Sequence, residues 1–292
     1  MGELSFRGVS TATLSGVYVL KMPDHKKAAV RTTEYKVPGR DGTLHIVEGY
    51  SDFNLTCRLI LINSATTNRQ IVNAWADGTG KLITTDDLSK AYKAIVKEEV
   101  EWHRDIAATI IEQFSSTKQY YSGDYCRYNG NIYRFTTSHK GTWAVGDAEI
   151  TPFLPKGVYD WCEITFDCQP HMYEAVDSTL SFVAGYGTIV TGGSEMFPVT
   201  NPGSDVAMPL IAVYGTGTVA FDFCGEYIVI YDMEANNPVM IDCDTGYIYA
   251  EDGTGKSIVG NIPQIPLGSS GVYFNPEHSP TKIEITPHWR WL

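Results

Sequence analysis

The chain has 292 residues, 43% hydrophobic and 19% charged, with 34 acidic against 22 basic side chains and a formal net charge of -12. Such a chain is globular, long enough for two or three domains that each bury a core, and is not a disordered polymer. The negative balance repels a phosphate backbone, so nucleic-acid binding would need a segregated basic face; the sole candidate, Lys21, His25, Lys26 and Lys27 with Arg31, reads as a short solvated loop.

The opening "MGELSFRGVS" lacks the basic start and apolar run of a signal peptide, and Phe6 stands where a myristoylation site needs Ser or Thr. Apolar runs such as "LILI" are too short to span a bilayer. These features predict a soluble protein made in a cytoplasm. Cys57, Cys126, Cys162, Cys168, Cys224 and Cys243 form no C-x-x-C pair and mostly alternate with apolar residues, which predicts buried free thiols and neither a zinc site nor a disulfide framework.

In chain order, "AVRTTEYKVPGRDGTLHIVEGYSDFNLTCRLILI" predicts strands around a turn at Pro38-Gly39-Arg40-Asp41-Gly42, where Asp-Gly supplies positive φ angles. "TTNRQIVNAWADG" predicts the one helix, with Ile71 and Trp75 on a shared face and Gly78 at its end. "KLIT" and "AYKAIVKEEVEWHRDI" return to extended structure, with a helical turn at the start of the second segment as an alternative. "GVYDWCEITFDCQPHMYE" is a further strand, with Trp161, Ile164, Phe166 and Cys168 inward or half-buried. After residue 176 the short strands "LSFV", "LIAVYG", "TVAFDF", "YIVIYD", "VMIDC", "GYIYA", "GVYF" and "KIEITP" alternate with Gly, Asn, Pro and Asp turns, the pattern of a two-sheet sandwich. "VTNPGSDVAMP" reads as a loop leading into it.

Between these parts lies "YYSGDYCRYNGNIYRFTTSHKGTW", residues 120 to 143, dense in rings around an Asn-Gly turn. Pairing Tyr128 with Asn131 puts Cys126, Tyr128, Tyr133 and Phe135 on one face and Tyr125, Arg127, Ile132 and Arg134 on the other. The first face is apolar enough to serve as the core of a unit of roughly forty residues, so Tyr128, Tyr133 and Phe135 are expected to pack. The simplest organisation is a small module, 112–154, inserted into a first domain of 1–111 plus 155–175, followed by a second domain of 176–292.

The module's residues Tyr120, Gly123, Asp124, Tyr128, Gly130, Tyr133, His139 and Trp143 resemble the small chitin- and cellulose-binding type of carbohydrate module. That resemblance implies rings stacking on sugar faces, with Trp143, Tyr120, Tyr121, Tyr125 and His139 as the carbohydrate-binding residues. Phe114 and Phe153 stand where that family often has Trp. The outer parts resemble the distal tail proteins of long-tailed phages of Gram-positive bacteria, through "SFRGVST", "VPGRDGTL", the Trp75 helix, "KLITTDDLSKAYKAIV" and "ITFDCQPHMY", then "NPGSDVAMPLIAVYGTGT", "MIDCDTGYIY", "GNIPQIPLG" and "KIEITPHWRW". "PLGSSGVYF" departs from the more usual Pro-Gly-x-Asn turn of that family. The resemblance implies a mainly β fold: a split β-barrel or sandwich with one helix at the N-terminus and a galectin-like β-sandwich at the C-terminus. It also implies a homohexameric ring at the virion tail tip, a baseplate hub whose partners are the tail tube protein, the tape-measure protein and tail-associated lysin or receptor-binding proteins. With the module, host cell-wall polysaccharide joins these partners.

Other chemistry is set aside on spacing. Asp242 and Asp244 begin like a calcium loop, but Gly246 and Gly253 occupy ligand positions, so a hairpin turn through Asp244-Thr245-Gly246 is expected. His288 reads as a capping surface or interface residue. No metal-spaced histidines, nucleophile elbow, P-loop or dinucleotide fingerprint occurs, and neither enzyme activity nor a cofactor is expected. The alternative is a carbohydrate-active enzyme or a free carbohydrate-binding protein with appended β domains, for which Asp124, Asp147 and Glu149 lie near the rings.

Overall fold

The computed structural model describes residues 3–24, 26–36, 38–39, 41–62, 66–84, 87–144 and 146–292. His25 of the basic stretch and Arg40 of the first predicted turn lie outside the described residues. The chain divides into two compact units, Met1–His171 and Met172–Leu292.

The first unit contains β1 (Leu4–Phe6), β2 (Val9–Ser10), β3 (Val17–Lys21), β4 (Val30–Tyr35), β5 (Leu44–Tyr50) and β6 (Phe53–Leu61). Helix α1 (Thr66–Ala76), β7 (Thr79–Thr84), β8 (Lys90–Ile95), β9 (Trp102–Ile106) and the short α2 (Ala107–Ile110) follow. Then come β10 (Tyr125–Tyr128), β11 (Asn131–Phe135), β12 (Ala148–Ile150) and β13 (Val158–Glu174), whose last three residues belong to the second unit. The main sheet has the order β2-β1-β7-β8-β13-β6-β3, with β9 also pairing with β13.

Both faces of this sheet carry cores, and the alternation of β6 and β13 explains why. On one face Leu55, Cys57, Leu59 and Leu61 of β6 and Cys162, Ile164, Phe166 and Cys168 of β13 are buried. There Phe6, Trp75 and Phe166 meet edge to face at 5.1 to 6.1 Å, which ties α1 to β1 and β13. Trp75 donates its indole N–H to the Val9 carbonyl at 2.9 Å. The helix faces inward through Val72, Trp75 and Ala76, whereas Ile71 is 38% exposed, which corrects the face assigned from Ile71 and Trp75. Both pairings satisfy helical spacing; tertiary packing chose between them.

On the opposite face Ile60, Tyr18, Leu20 and Trp161 of the main sheet pack with Ala107, Ile110 and Ile111 around α2. Ile132, Phe153 and Tyr125, from β10, β11 and the segment after β12, complete that cluster. The small sheet β10-β11-β12 is therefore seated on the back of the main sheet.

Asp160 begins the core-facing row of β13 with a fully buried carboxylate. Arg69 of α1 donates to it from Nε and Nη2 at 2.9 and 2.6 Å, and Arg104, its cross-strand neighbour on β9, donates at 2.8 Å. Burial raises the carboxyl's pKa, but hydrogen bonds and charge from Arg104 and Arg69 outweigh it and hold the group below its ordinary value.

Strands β4 and β5 form a two-stranded ribbon that joins none of the other sheets among the described residues. Thr33 pairs with Ile46 and Tyr35 with Leu44, so these four share one face. Tyr35, Leu44 and Ile46 are 52%, 38% and 47% exposed.

The second unit is the sandwich expected from its alternating strands. One sheet has the order β14-β23-β17-β20-β21 and comprises β14 (Leu180–Val183), β17 (Leu210–Tyr214), β20 (Val239–Asp242), β21 (Tyr247–Ala250) and β23 (Lys282–Thr286). The other, β15-β16-β22-β18-β19, comprises β15 (Thr188–Ile189), β16 (Glu195–Asn201), β18 (Gly217–Phe223), β19 (Glu226–Met233) and β22 (Gly268–Phe274). Their inner faces bury Phe197, Phe221, Phe223, Ile241, Ile283 and Ile285, each Phe or Ile contributing roughly 2 to 3 kcal/mol. The calcium-like stretch is the predicted hairpin turn, with Asp242 accepting from the N–H groups of Asp244 and Thr245. His288 is half-buried beside the Met208 carbonyl, 3.2 Å from its Nδ1.

All six cysteines are free; five are buried and Cys224 is half-buried. Burial pushes the thiols of Cys162, Cys168 and Cys243 up to about 12 and that of Cys126 to about 11. Ellman's reagent at pH 8 is therefore expected to titrate all six thiols in denaturant but to react with the native protein far more slowly, starting at Cys224.

Replacing Asp160 with Asn leaves two arginines facing a neutral amide and is expected to cost about 3 kcal/mol, measured by urea unfolding followed through tryptophan fluorescence. Because the folded carboxyl is depressed, its contribution is complete above the ordinary carboxylate range and fades as pH falls through the folded value. The difference between wild type and Asp160→Asn should shrink accordingly on acidification.

Candidate functional site

The ring-rich segment folds locally because Asn129 and Gly130 take φ values of +46° and +80°, the left-handed pair that a two-residue hairpin turn demands. The register pairs Tyr128 with Asn131 and Cys126 with Tyr133, as the turn predicts. Strand β12 then adds to β11 through Tyr133, Arg134 and Phe135.

One face of this sheet builds its own core from Tyr120, Cys126 and Phe135, with Phe114, Tyr133, Trp143 and Ala148 packed around them. Tyr120 and His139 pair backbone to backbone, each N–H reaching the other's carbonyl at 2.9 Å. This pairing delivers both side chains to Phe135, which lies between them: its centroid is 4.5 Å from Tyr120 at 20° and 5.5 Å from His139 at 19°. Tyr120 is 1% exposed, stacks on Phe114 at 5.4 Å, and accepts the Ser115 N–H at its hydroxyl. His139 is 6% exposed and bonds through Nδ1 to Asp147 at 2.7 Å, while its buried Nε2 has no partner among the described residues. Neither ring presents a face to a ligand, which corrects their assignment as stacking residues.

Tyr125 belongs to the other face. It packs edge to face on Phe153 at 6.1 Å in the cluster shared with the main sheet, and burial pushes its hydroxyl up to about 12. A ring so placed anchors the small sheet, a second departure from the stacking role assigned to it.

Two aromatic surfaces remain. Trp143 is half-buried, stacked on Tyr128 at 4.2 Å and 18°, with Tyr133 edge-on at 4.7 Å. The hydroxyls of Tyr128 and Tyr133 and the Trp143 indole N–H make no hydrogen bond with described residues and are not buried. Tyr128 and Tyr133, expected to be core, are thus half-buried members of this surface. Phe114 is its half-buried centre, in contact with Tyr120, Tyr128, Phe135, His139 and Trp143. The sequence pointed to it only through the resemblance, as a Phe standing where a Trp is often found.

Tyr121 stands apart: it is 62% exposed and makes no ring contact among the described residues. Its main chain is fixed by a turn in which the Asp124 carboxylate accepts the Tyr121 N–H at 2.8 Å and the Asp124 N–H reaches the Tyr121 carbonyl at 3.0 Å. The five residues named from sequence therefore do not converge on one site. Two lie in the small core, one in the docking face, and Trp143 and Tyr121 on separate surfaces. The carboxylates near the rings are engaged, Asp124 in this turn, Asp147 with His139 and Glu149 with Arg134 at 3.5 Å. Among the described residues no group of His, Cys, Asp or Glu is arranged to hold a metal, and no helix is long and apolar enough to cross a membrane.

No family model and no curated protein matches the sequence. Among solved structures, the chain is similar to SPP1 Dit, described as a paradigm of the hub adsorption apparatus in phages that infect Gram-positive bacteria. The identity is 12%, the TM-score 0.58, and 98% of each chain is covered. The activated baseplate of phage p2 also matches, at 9% identity and a TM-score of 0.42, covering 97% of this chain and 98% of that one. The likeness to SPP1 Dit shows that the two chains share a fold over nearly their whole length.

Truncating Trp143 to Ala removes the partner of both Tyr128 and Tyr133. It is expected to lower stability by about 2 kcal/mol, less than the 3 to 5 kcal/mol typical of a fully buried Trp, because its site is partly open. Urea unfolding of the variant checks this.

Proposed function

We propose that this chain is a structural hub protein of a phage tail tip, which assembles as a ring of six copies between the tail tube and the adsorption apparatus and carries a glycan-binding insert. The carrying observation is the shared fold with SPP1 Dit over 98% of both chains, since SPP1 Dit is described as a hub. In this reading residues 1–111 with 155–175 form the ring, 112–154 are the insert, and 176–292 are a galectin-like outer domain. Its partners are further copies of itself, the tail tube and tape-measure proteins, tail-tip lysin or receptor-binding proteins, and cell-wall polysaccharide.

The β4–β5 ribbon supports self-assembly. A lone two-stranded ribbon is marginal in water, and this one exposes Tyr35, Leu44 and Ile46 on a single face. A second copy covering that face would bury it, and a neighbouring strand added in the plane of the ribbon would satisfy an open edge. A ring also multiplies any weak contact between insert and sugar into avidity.

Sedimentation analysis tests the reading. Wild type is expected to form a discrete closed oligomer as concentration rises, whereas Ile46→Asp should remain monomeric with unchanged circular dichroism. Wild type that stays monomeric both alone and with its tail tube protein would refute ring assembly.

A further inference from the structure

A groove of about 720 Å3 opens between the small sheet and the end of β3, within the size range of ligand sites. Tyr121 stands on its wall with its ring uncovered and its hydroxyl unpartnered among the described residues. Beside it Gln119 donates its side-chain amide to the carbonyls of Tyr120 and His139 at 3.0 and 3.2 Å, which leaves its own carbonyl oxygen free to accept.

The groove's charge selects its ligand. Lys21, Arg58 and Lys118 line it together with Asp24, Glu112 and Asp124, so cations and carboxylates balance. Each cation already has an acidic partner: Lys118 with Glu112 at 2.7 Å, Lys21 with Asp24 at 3.3 Å, and Arg58 with Glu163 at 2.6 Å. A phosphate-bearing polymer would have to break these pairs and approach a chain of net charge -12. A neutral sugar instead can lay its C–H face on Tyr121 and exchange hydroxyl hydrogen bonds with Gln119 and the paired charges as they stand.

We propose that this groove, with Tyr121 as its stacking residue, binds a neutral oligosaccharide and rejects polyanionic wall polymers. The proposal rests on the glycan-binding reading of residues 112–154 and assigns the ligand to the groove, not to the Trp143 surface.

The test is an array of immobilised neutral oligosaccharides printed beside poly(glycerol phosphate), probed with the full-length wild type, Tyr121→Ala and Trp143→Ala. Because the Tyr121 ring touches no other ring, its removal should leave circular dichroism and melting temperature unchanged. The expected result is wild-type binding to neutral sugars that is insensitive to salt between about 0.05 and 0.5 M NaCl and weakened about tenfold by Tyr121→Ala. Binding confined to poly(glycerol phosphate), or binding that collapses with salt, would overturn the proposal. Neutral-sugar binding that survives Tyr121→Ala but is lost in a folded Trp143→Ala would overturn the groove and leave the insert's glycan role intact. No binding to any sugar would overturn both.

Discussion

The seating of the small sheet on the back of the main sheet is the contact on which the site depends. Ile132 and Phe153 are buried against Ile60, Ala107 and Ile111, so one hydrophobic cluster is shared by main sheet, short helix and small sheet. A unit of some forty residues has little core of its own. Here the sheet is stabilised from both sides, by Tyr120, Cys126 and Phe135 above and by the shared cluster below. The groove exists because those layers are joined there, and its walls come from both.

That two-sidedness explains what could be read from the sequence. The Asn129-Gly130 turn fixed the hairpin register correctly, since only a few residue types accept those φ values. Alternation then separated Tyr125 and Ile132 from Cys126 and Phe135. What alternation does not contain is the identity of the layer each face meets. Tyr125, on the face away from the small core, looked available for a ligand, yet that face meets the main sheet. Tyr120 and His139 were buried by a backbone pairing between segments nineteen residues apart, which no local periodicity encodes.

The same limit operates elsewhere. Eight strands of the second unit were legible because each has an apolar alternation bounded by turn residues. Strand β16 was not, because its outer face carries Pro198 and Thr200 and it runs straight into the Pro/Gly-rich loop. Ile71 and Val72 are adjacent on α1 and both apolar, so local pattern does not separate them; Val72 is the one buried, on the helix whose Trp75 packs on Phe6 and Phe166. Asp160 is legible in neither way: a strand carboxylate is ordinarily read as a solvent-facing residue, and its burial follows from two arginines that the helix and β9 bring to it from distant parts of the chain.

The β4–β5 ribbon has a consequence for timing. Its register is closed by short-range pairing, so it can form early, but the layer that would complete its apolar face is not among the described residues of its own chain. A molecule that covered that face would stabilise the segment by mass action, in proportion to its concentration over its dissociation constant. For a ribbon that stands apart from the sheets, completing a core would be a matter of encounter and not of folding alone.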